Sequence, residues 1–137
     1  MANTRDLKRA KAGDKNLRGA DLSGADLGGA DLSGFDLRNA NLRNANLRGA
    51  DLSGADLRGA YLVQANLGEA NLSRADLRSA GVCEANLVGA KLVGVEIQRE
   101  GTWYHLEITP RSGSKRPPRT TCFHGAIMPD GTEYKPE

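Results

Sequence analysis

The chain has 137 residues, a formal net charge of +2, 39% apolar residues and only 4% aromatic residues. That length suits one domain of modest core, and the near-balanced charge argues against a nucleic-acid binder held mainly by a positive field. The six aromatics (Phe35, Tyr61, Trp103, Tyr104, Phe123, Tyr134) leave an ordinary globular core short of bulky filler, so the 17 glycines must be explained by their spacing.

In chain order, residues 1–14 come first. Thr4 to Lys11 is predicted to form a short helix that Ala12-Gly13-Asp14 ends, with Leu7 and Ala10 able to cover whatever follows. Lys8, Arg9 and Lys11 fall in its last turn, where the helix dipole favours cations, and are expected to form a solvated face. The opening stretch MANTRDLKRAKAGDK has no apolar h-region, and nowhere do about 18 apolar residues run together. A soluble cytoplasmic protein is the expectation. Cys83 and Cys122 lack metal-ligand spacing and are expected to be reduced thiols, with no metal and no cofactor.

Residues 15–99 carry a period of five. A leucine falls at every fifth position from Leu17 to Leu77, and the register continues through Val82, Leu87, Leu92 and Ile97. Two residues earlier stands alanine at every position from Ala20 to Ala90, with Phe35 the exception. On a helix the leucines would rotate about 140° each time and scatter. On a straight strand an odd period would send them to alternate faces. The pattern fits a chain that runs extended for about three residues and then bends, so that alanine and leucine always face one interior. Glycine or a small polar residue at the bend (Gly19, Gly24, Gly29, Gly34, Asn39, Asn44, Gly49, Gly54, Gly59) suits unusual backbone angles. With right-angle bends, four units close a coil of twenty residues, and coils must stack because one buries nothing alone. Seventeen units give about 4.25 coils, a prism roughly 20 Å long.

The runs GADLSGADLGGADLSG and NANLRNANLRGADLSGADLRGA resemble the pentapeptide-repeat family, small cyanobacterial members included. The resemblance implies an all-β solenoid, a right-handed quadrilateral β-helix of four to five coils with the leucines inward, here with a short N-terminal helical cap. Many members of that family have no assigned biochemical activity.

Stacking at twenty residues predicts outward columns. One holds Arg18, Arg38, Arg58 and Arg78, beside Asn16, Asp36, Asp56, Asp76 and Glu96, which should neutralise it. Another holds Ser33, Ser53 and Ser73 with Asp31, Asp51 and Asn71. Tyr61, Val63 and Cys83, with Val88 and Val93, make the later coils more apolar. Phe35, on the column of Lys15 and Ala55, is expected to pack up against the N-terminal helix.

Beyond Arg99 the period is lost. Residues 100–120 read as a strand, with Trp103, His105 and Glu107 alternating against Tyr104, Leu106 and Ile108, followed by a loop holding Arg111, Lys115, Arg116 and Arg119. At 121–137 the register resumes, with Phe123 and Met128 five apart and Pro129-Asp130-Gly131 as a turn.

No catalytic constellation is visible: the interior lacks ionisable groups, His105 and His124 lack an orienting acid, and neither a GxxxxGK run nor a GxSxG elbow occurs. Some members of the family mimic DNA and bind DNA gyrase, which requires an acidic wall. From Lys15 to Arg99 ten basic residues meet ten acidic ones, so that reading stands as the alternative. The reading preferred is a non-enzymatic structural or protein-interaction module, a monomer with an unknown protein partner, no small-molecule substrate, nucleic acid or membrane. The candidate surface is Arg18, Arg38, Arg58, Arg78, Tyr61, Val63, Lys115, Arg116 and Arg119.

Overall fold

Between Asn16 and Lys91 the backbone pairs with itself at a constant offset. Parallel bridges join Asn16 to Asp36, Asp36 to Asp56 and Asp56 to Asp76, and likewise on the other walls up to Asn71 with Lys91, always twenty residues apart. The computed structural model describes residues 1–99 and 102–106, from residue 96 onward as backbone only.

One unit shows why the ladder needs this residue pattern. Asp36 N–H donates to the Lys15 carbonyl on one side, at 2.8 Å, and Leu37 N–H to the Asp56 carbonyl on the other, at 2.9 Å. Asn39 N–H donates to the Arg58 carbonyl, and Ala40 N–H closes the bend on the Leu37 carbonyl, each at 3.0 Å. The remaining donor, Arg38 N–H, has no backbone partner and is taken by the Asp36 side chain, Oδ1 at 3.2 Å. Where aspartate or asparagine precedes the leucine it is therefore a local cap, an Asx-type bond two residues on, and every backbone donor of this unit is satisfied.

The bend residue has positive φ, from 64° to 71° at the glycines of the repeat. With a single positive φ, at the second central residue, the bend is of type II. Asn39 and Asn44 tolerate this region, but Gln64, Glu69, Arg74 and Glu84 also occupy it, at φ 57–61°. An ordinary L-residue there costs roughly 1–2 kcal/mol. The cost is tolerated because the same residue's N–H sits in the ladder, as in Glu69 N–H to the Val88 carbonyl at 2.7 Å.

Inside, Leu17, Leu37, Leu57 and Leu77 form one axial stack and the leucines of the other walls complete it, each at most 2% exposed. The alanines fill the narrower corners, Ala40, Ala50, Ala55 and Ala60 at 0%, where a larger side chain would overpack. Phe35, at 3%, takes such a corner in the first full coil.

Helix α1 (Thr4–Lys11) closes the N-terminal end. Asn3 caps it, its side chain accepting from Arg5 and Asp6 N–H. The helix also stands in for a missing coil on one wall: Asn3 N–H donates to the Asp21 carbonyl at 2.9 Å, and the Asp6 carboxylate accepts Asp21 N–H at 3.0 Å. Arg9 is not simply solvated as its cluster suggested. It pairs with Asp14 at 2.8 Å and Asp6 at 3.4 Å and donates to the Asn16 carbonyl, binding helix to coil.

At the other end β1 (Val95–Arg99) pairs antiparallel with β2 (Thr102–Leu106), Val95 opposite Leu106 and Arg99 opposite Thr102. Val95 is fully buried. The rest of the expected 100–120 insertion and the resumed register of 121–137, with Lys115, Arg116, Arg119, Cys122 and His124, lie outside the described residues.

Cys83 is disulfide-bonded, which corrects the expectation of reduced thiols. Cysteine count and spacing along the chain do not reveal this, because pairing depends on how close two side chains come in space, and Cys83 stands at the outward position after Val82, open to another segment.

Candidate interaction surface

The arginine column is built by the Asx bonds just described. Holding Arg38 N–H places the Asp36 carboxylate beside the Arg38 side chain, whose Nε donates to Oδ1 at 2.8 Å while its Nη2 donates to Oδ2. Arg58 on Asp56 and Arg78 on Asp76 repeat the arrangement. The first two forks also reach one coil onward, Arg38 Nε to Asp56 at 3.6 Å and Arg58 Nε to Asp76 at 3.5 Å. The column is thus an interleaved ladder of opposite charges. Arg18 differs: Asn16 stands where the others have aspartate, and the Arg18 side chain makes no ion pair among the described residues.

The hydrogen bonds from Arg38 hold the Asp36 carboxyl down to about 2, against its ordinary 3.8, and partial burial opposes them. Asp56 is lowered likewise by Arg58. A folded-state value below the unfolded one means that the unfolded chain takes up the proton first. The contribution is complete above roughly pH 4 and lost as pH falls toward about 2. Thermal melts should therefore be level from neutral pH to about 5 and decline below 4. Asp36→Asn should show a shallower decline.

The next wall carries the apolar candidates. Tyr61 is 44% exposed, and the Arg43 guanidinium lies 4.5 Å from its ring centroid, a cation–π contact from one coil to the next. Val63 and Cys83 follow each other in one column, linked through Gln64 N–H and the Cys83 carbonyl at 3.0 Å. Val88 and Val93 are 43% and 57% exposed, but they belong to the third and fourth walls. The apolar character is therefore spread over three walls, and only Tyr61, Val63 and Cys83 share one.

Elsewhere the wall also pairs with itself. Asn46 Nδ2 donates to Asp26 at 2.9 Å, Gln64 Nε2 to Glu84 at 2.8 Å, and Arg48 meets Glu69 at 2.6 Å. The structure engages Arg38, Arg58 and Arg78, leaves Arg18 and Tyr61 open to solvent, and does not bring these residues together at one point. Sequence reasoning missed the capping role of Asp36 and its equivalents. The signal was the restriction to Asp or Asn at nearly every unit before the leucine, a restriction that mere solvent exposure would not impose.

A notch of about 640 Å³ opens between the C-terminal end of α1 and the first coil, lined by Lys11, Gly13, Lys15, Asp26, Asp31 and Phe35 among others. The Asp31 carboxyl is lowered chiefly by the Ser33 hydroxyl bonded to it, so it is already committed. Among the described residues no helix is long and apolar enough to cross a membrane.

Comparison with known proteins agrees with this geometry. The family model for pentapeptide repeats matches residues 6–39, 40–78 and 60–99. Among solved structures, a pentapeptide repeat protein from the Arabidopsis thaliana thylakoid lumen is 34% identical over 82% of this chain, with a TM-score of 0.65. HetL from the cyanobacterium Nostoc sp. strain PCC 7120, involved in heterocyst differentiation regulation, is 36% identical over 87% of the chain, with a TM-score of 0.61. The chain spans 63% of the first structure's length and 49% of the second's. No curated protein matches. The twenty-residue parallel ladder, the buried leucine axis and these matches together place the chain in the pentapeptide-repeat family, with the right-handed β-helix solenoid of its structural neighbours.

Proposed function

We propose that the protein is a non-enzymatic interaction module, a square-sectioned prism of about four coils capped by α1 that presents flat walls and its C-terminal segment to a protein partner. The observation that supports this most is the division of the chain into a purely apolar interior and a wall whose polar groups bond to each other, as in the Asp36–Arg38–Asp56 ladder. Catalysis needs convergent groups of tuned acidity; a wall of repeated, mutually engaged side chains offers shape and surface pattern. The regulatory role stated for HetL is compatible with such a module. The recognition residues proposed are Tyr61 and Val63 on one wall, Arg18 with the Arg38–Arg58–Arg78 ladder on the neighbouring one, and Lys115, Arg116 and Arg119 beyond the repeat. Exact balance of acidic and basic residues between Lys15 and Arg99 weighs against a DNA mimic directed at gyrase.

Photo-crosslinking residues placed singly at Arg18, Val63 and Val93 in the full chain, exposed to extract from the native source, should give one recurrent protein adduct from one or two neighbouring walls. Equal yields of the same adducts from all three positions would contradict a specific docking wall.

A further inference from the structure

Helix α1 completes only half of the N-terminal edge. On the wall of Asp21, Asp6 takes the N–H and Asn3 supplies a donor to the carbonyl; on the wall of Asn16, Arg9 donates to the carbonyl. The next two walls have no such cover. The N–H groups of Asp26 and Asp31 and the carbonyls of Asp26, Gly28, Asp31 and Ser33 have no hydrogen-bond partner among the described residues. One coil later the equivalent groups of Asn46, Arg48, Asp51 and Ser53 are all bonded across coils at 2.7–2.9 Å. The open edge borders the notch of about 640 Å³, where Leu27, Ala30 and Phe35 are apolar lining. Ala30 is only partly buried, whereas Ala50 and Ala70, which stack on it in the same corner, are fully buried.

We infer that this half-open edge binds an extended, basic segment of a partner protein, about ten residues long, as two further units of the ladder. Continuing the observed pattern back by one coil dictates the segment. Its inward alanine carbonyls accept Asp26 and Asp31 N–H, its leucine N–H groups donate to the Asp26 and Asp31 carbonyls, and its bend N–H groups donate to those of Gly28 and Ser33. The alanine and leucine side chains then cover Ala30 and Leu27. Charge selects the outward positions. Arg38 Nε reaches Asp56 in the next coil at 3.6 Å and Arg58 Nε reaches Asp76 at 3.5 Å, so an arginine directly after each leucine of the segment meets Asp26 or Asp31 in the same way. Those two carboxylates commit Oδ1 within the protein, Asp26 to Gly28 N–H and Asn46, Asp31 to Ser33, and Oδ2 of each has no hydrogen-bond partner among the described residues. Lys11 and Lys15 line the helix side of the notch, so the arginines fit the coil side. Asparagine before each leucine avoids setting an acid against Asp26 and Asp31. The edge is separate from the wall residues named above, and the inference rests on the proposed function only in that the segment belongs to a protein.

The probe is a peptide blocked at both ends, Ala-Asn-Leu-Arg-Asn-Ala-Asn-Leu-Arg-Gly, which repeats residues 40–49 of this chain, titrated into the full nitrogen-15-labelled protein. Binding should saturate with a Kd below about 1 mM. At saturation the Asp26 and Asp31 amides should exchange at least about tenfold more slowly, while that of Asp21, already held by Asp6, is unchanged. The same peptide N-methylated at both leucines keeps its charge but loses two donors and should bind roughly thirtyfold more weakly. Asp26→Asn with Asp31→Asn keeps the local caps, as Asn46 and Asn71 do, and should bind the unmethylated peptide roughly fivefold more weakly. Absence of saturation at several millimolar peptide would overturn the inference, as would equal binding of the methylated peptide or protection confined to other walls. A dimer of the free protein in which the Asp26 and Asp31 amides are already protected would assign the edge to a second copy instead. Crosslinking from Arg18, Val63 and Val93 does not report on this edge, so either reading can fail while the other stands.

Discussion

Leu57→Ala is expected to destabilise the protein by about 3–5 kcal/mol, the upper part of the range for a buried leucine, which corresponds to a fall in melting temperature on the order of 15 °C. The reason is the rigidity of what surrounds it. Leu57 is fully buried between Leu37 and Leu77, and its N–H is fixed to the Asp76 carbonyl at 2.8 Å while Asp56 N–H is fixed to the Phe35 carbonyl at 2.9 Å. Walls pinned at such spacing cannot move inward to fill the space of an isobutyl group, so the cavity remains. Leu27 is the control: it is almost as buried, at 2%, but it borders the notch under α1, where water and side chains can adjust. Leu27→Ala should cost distinctly less. Reversible urea unfolding of the two variants checks the difference, and equal losses would mean that the interior relaxes uniformly.

The second large effect concerns one side chain in two coils. Phe35 and Ala55 occupy the same corner one coil apart, joined by Asp56 N–H on the Phe35 carbonyl. Phe35 faces the notch shared with Ala10, Ala12 and Gly13, the one place at this corner where no alanine-lined coil lies below. Ala55 has coils on both sides and no exposed surface. Phe35→Ala should cost about 3–5 kcal/mol through lost burial. Ala55→Phe should cost about 3 kcal/mol or more through overpacking, because neither neighbouring coil can recede without breaking its ladder. Urea melts of both variants and of the double exchange decide the matter. If the phenylalanine belongs to the notch, the double exchange is at least as unstable as the worse single variant; recovery toward wild type would show that the two corners are equivalent.

Much of this was legible in the sequence because a period of five admits few backbone paths. Once Leu17 to Leu77 must face one side, the alanines must too, and the coil of twenty follows from four bends. What was not legible depends on contacts between coils. Asp36 reads as an outward acid, yet its main local task is to satisfy Arg38 N–H. Arg9 reads as one charge in a cluster, yet it ties α1 to Asp14 and to the Asn16 carbonyl. Glu69 and Arg74 are poor bend residues by local preference and adopt positive φ because the ladder on either side holds them there. The columns of candidate surface residues followed from the period, but the pairing that neutralises Arg38, Arg58 and Arg78 while omitting Arg18 turns on a single asparagine, Asn16. The disulfide at Cys83 was hidden for another reason: no local sequence pattern marks a cysteine as bonded, because pairing depends on proximity in space.

In the ladder, four of every five amides are held by backbone carbonyls and, where Asp or Asn precedes the inward residue, the fifth is held by that side chain. Residue-resolved hydrogen–deuterium exchange across residues 36–75 tests it most directly. The amides of Leu37, Leu42, Leu47, Leu52, Leu57 and Leu62, bonded across coils at 2.7–2.9 Å, should exchange only with global unfolding. Those of Arg38, Arg43, Arg48, Ser53 and Arg58, which donate to Asp or Asn side chains, should exchange faster, so that protection dips once every five residues. Protection that is uniform, or that varies with no period of five, would contradict the ladder and with it the rigid wall on which the proposed function depends.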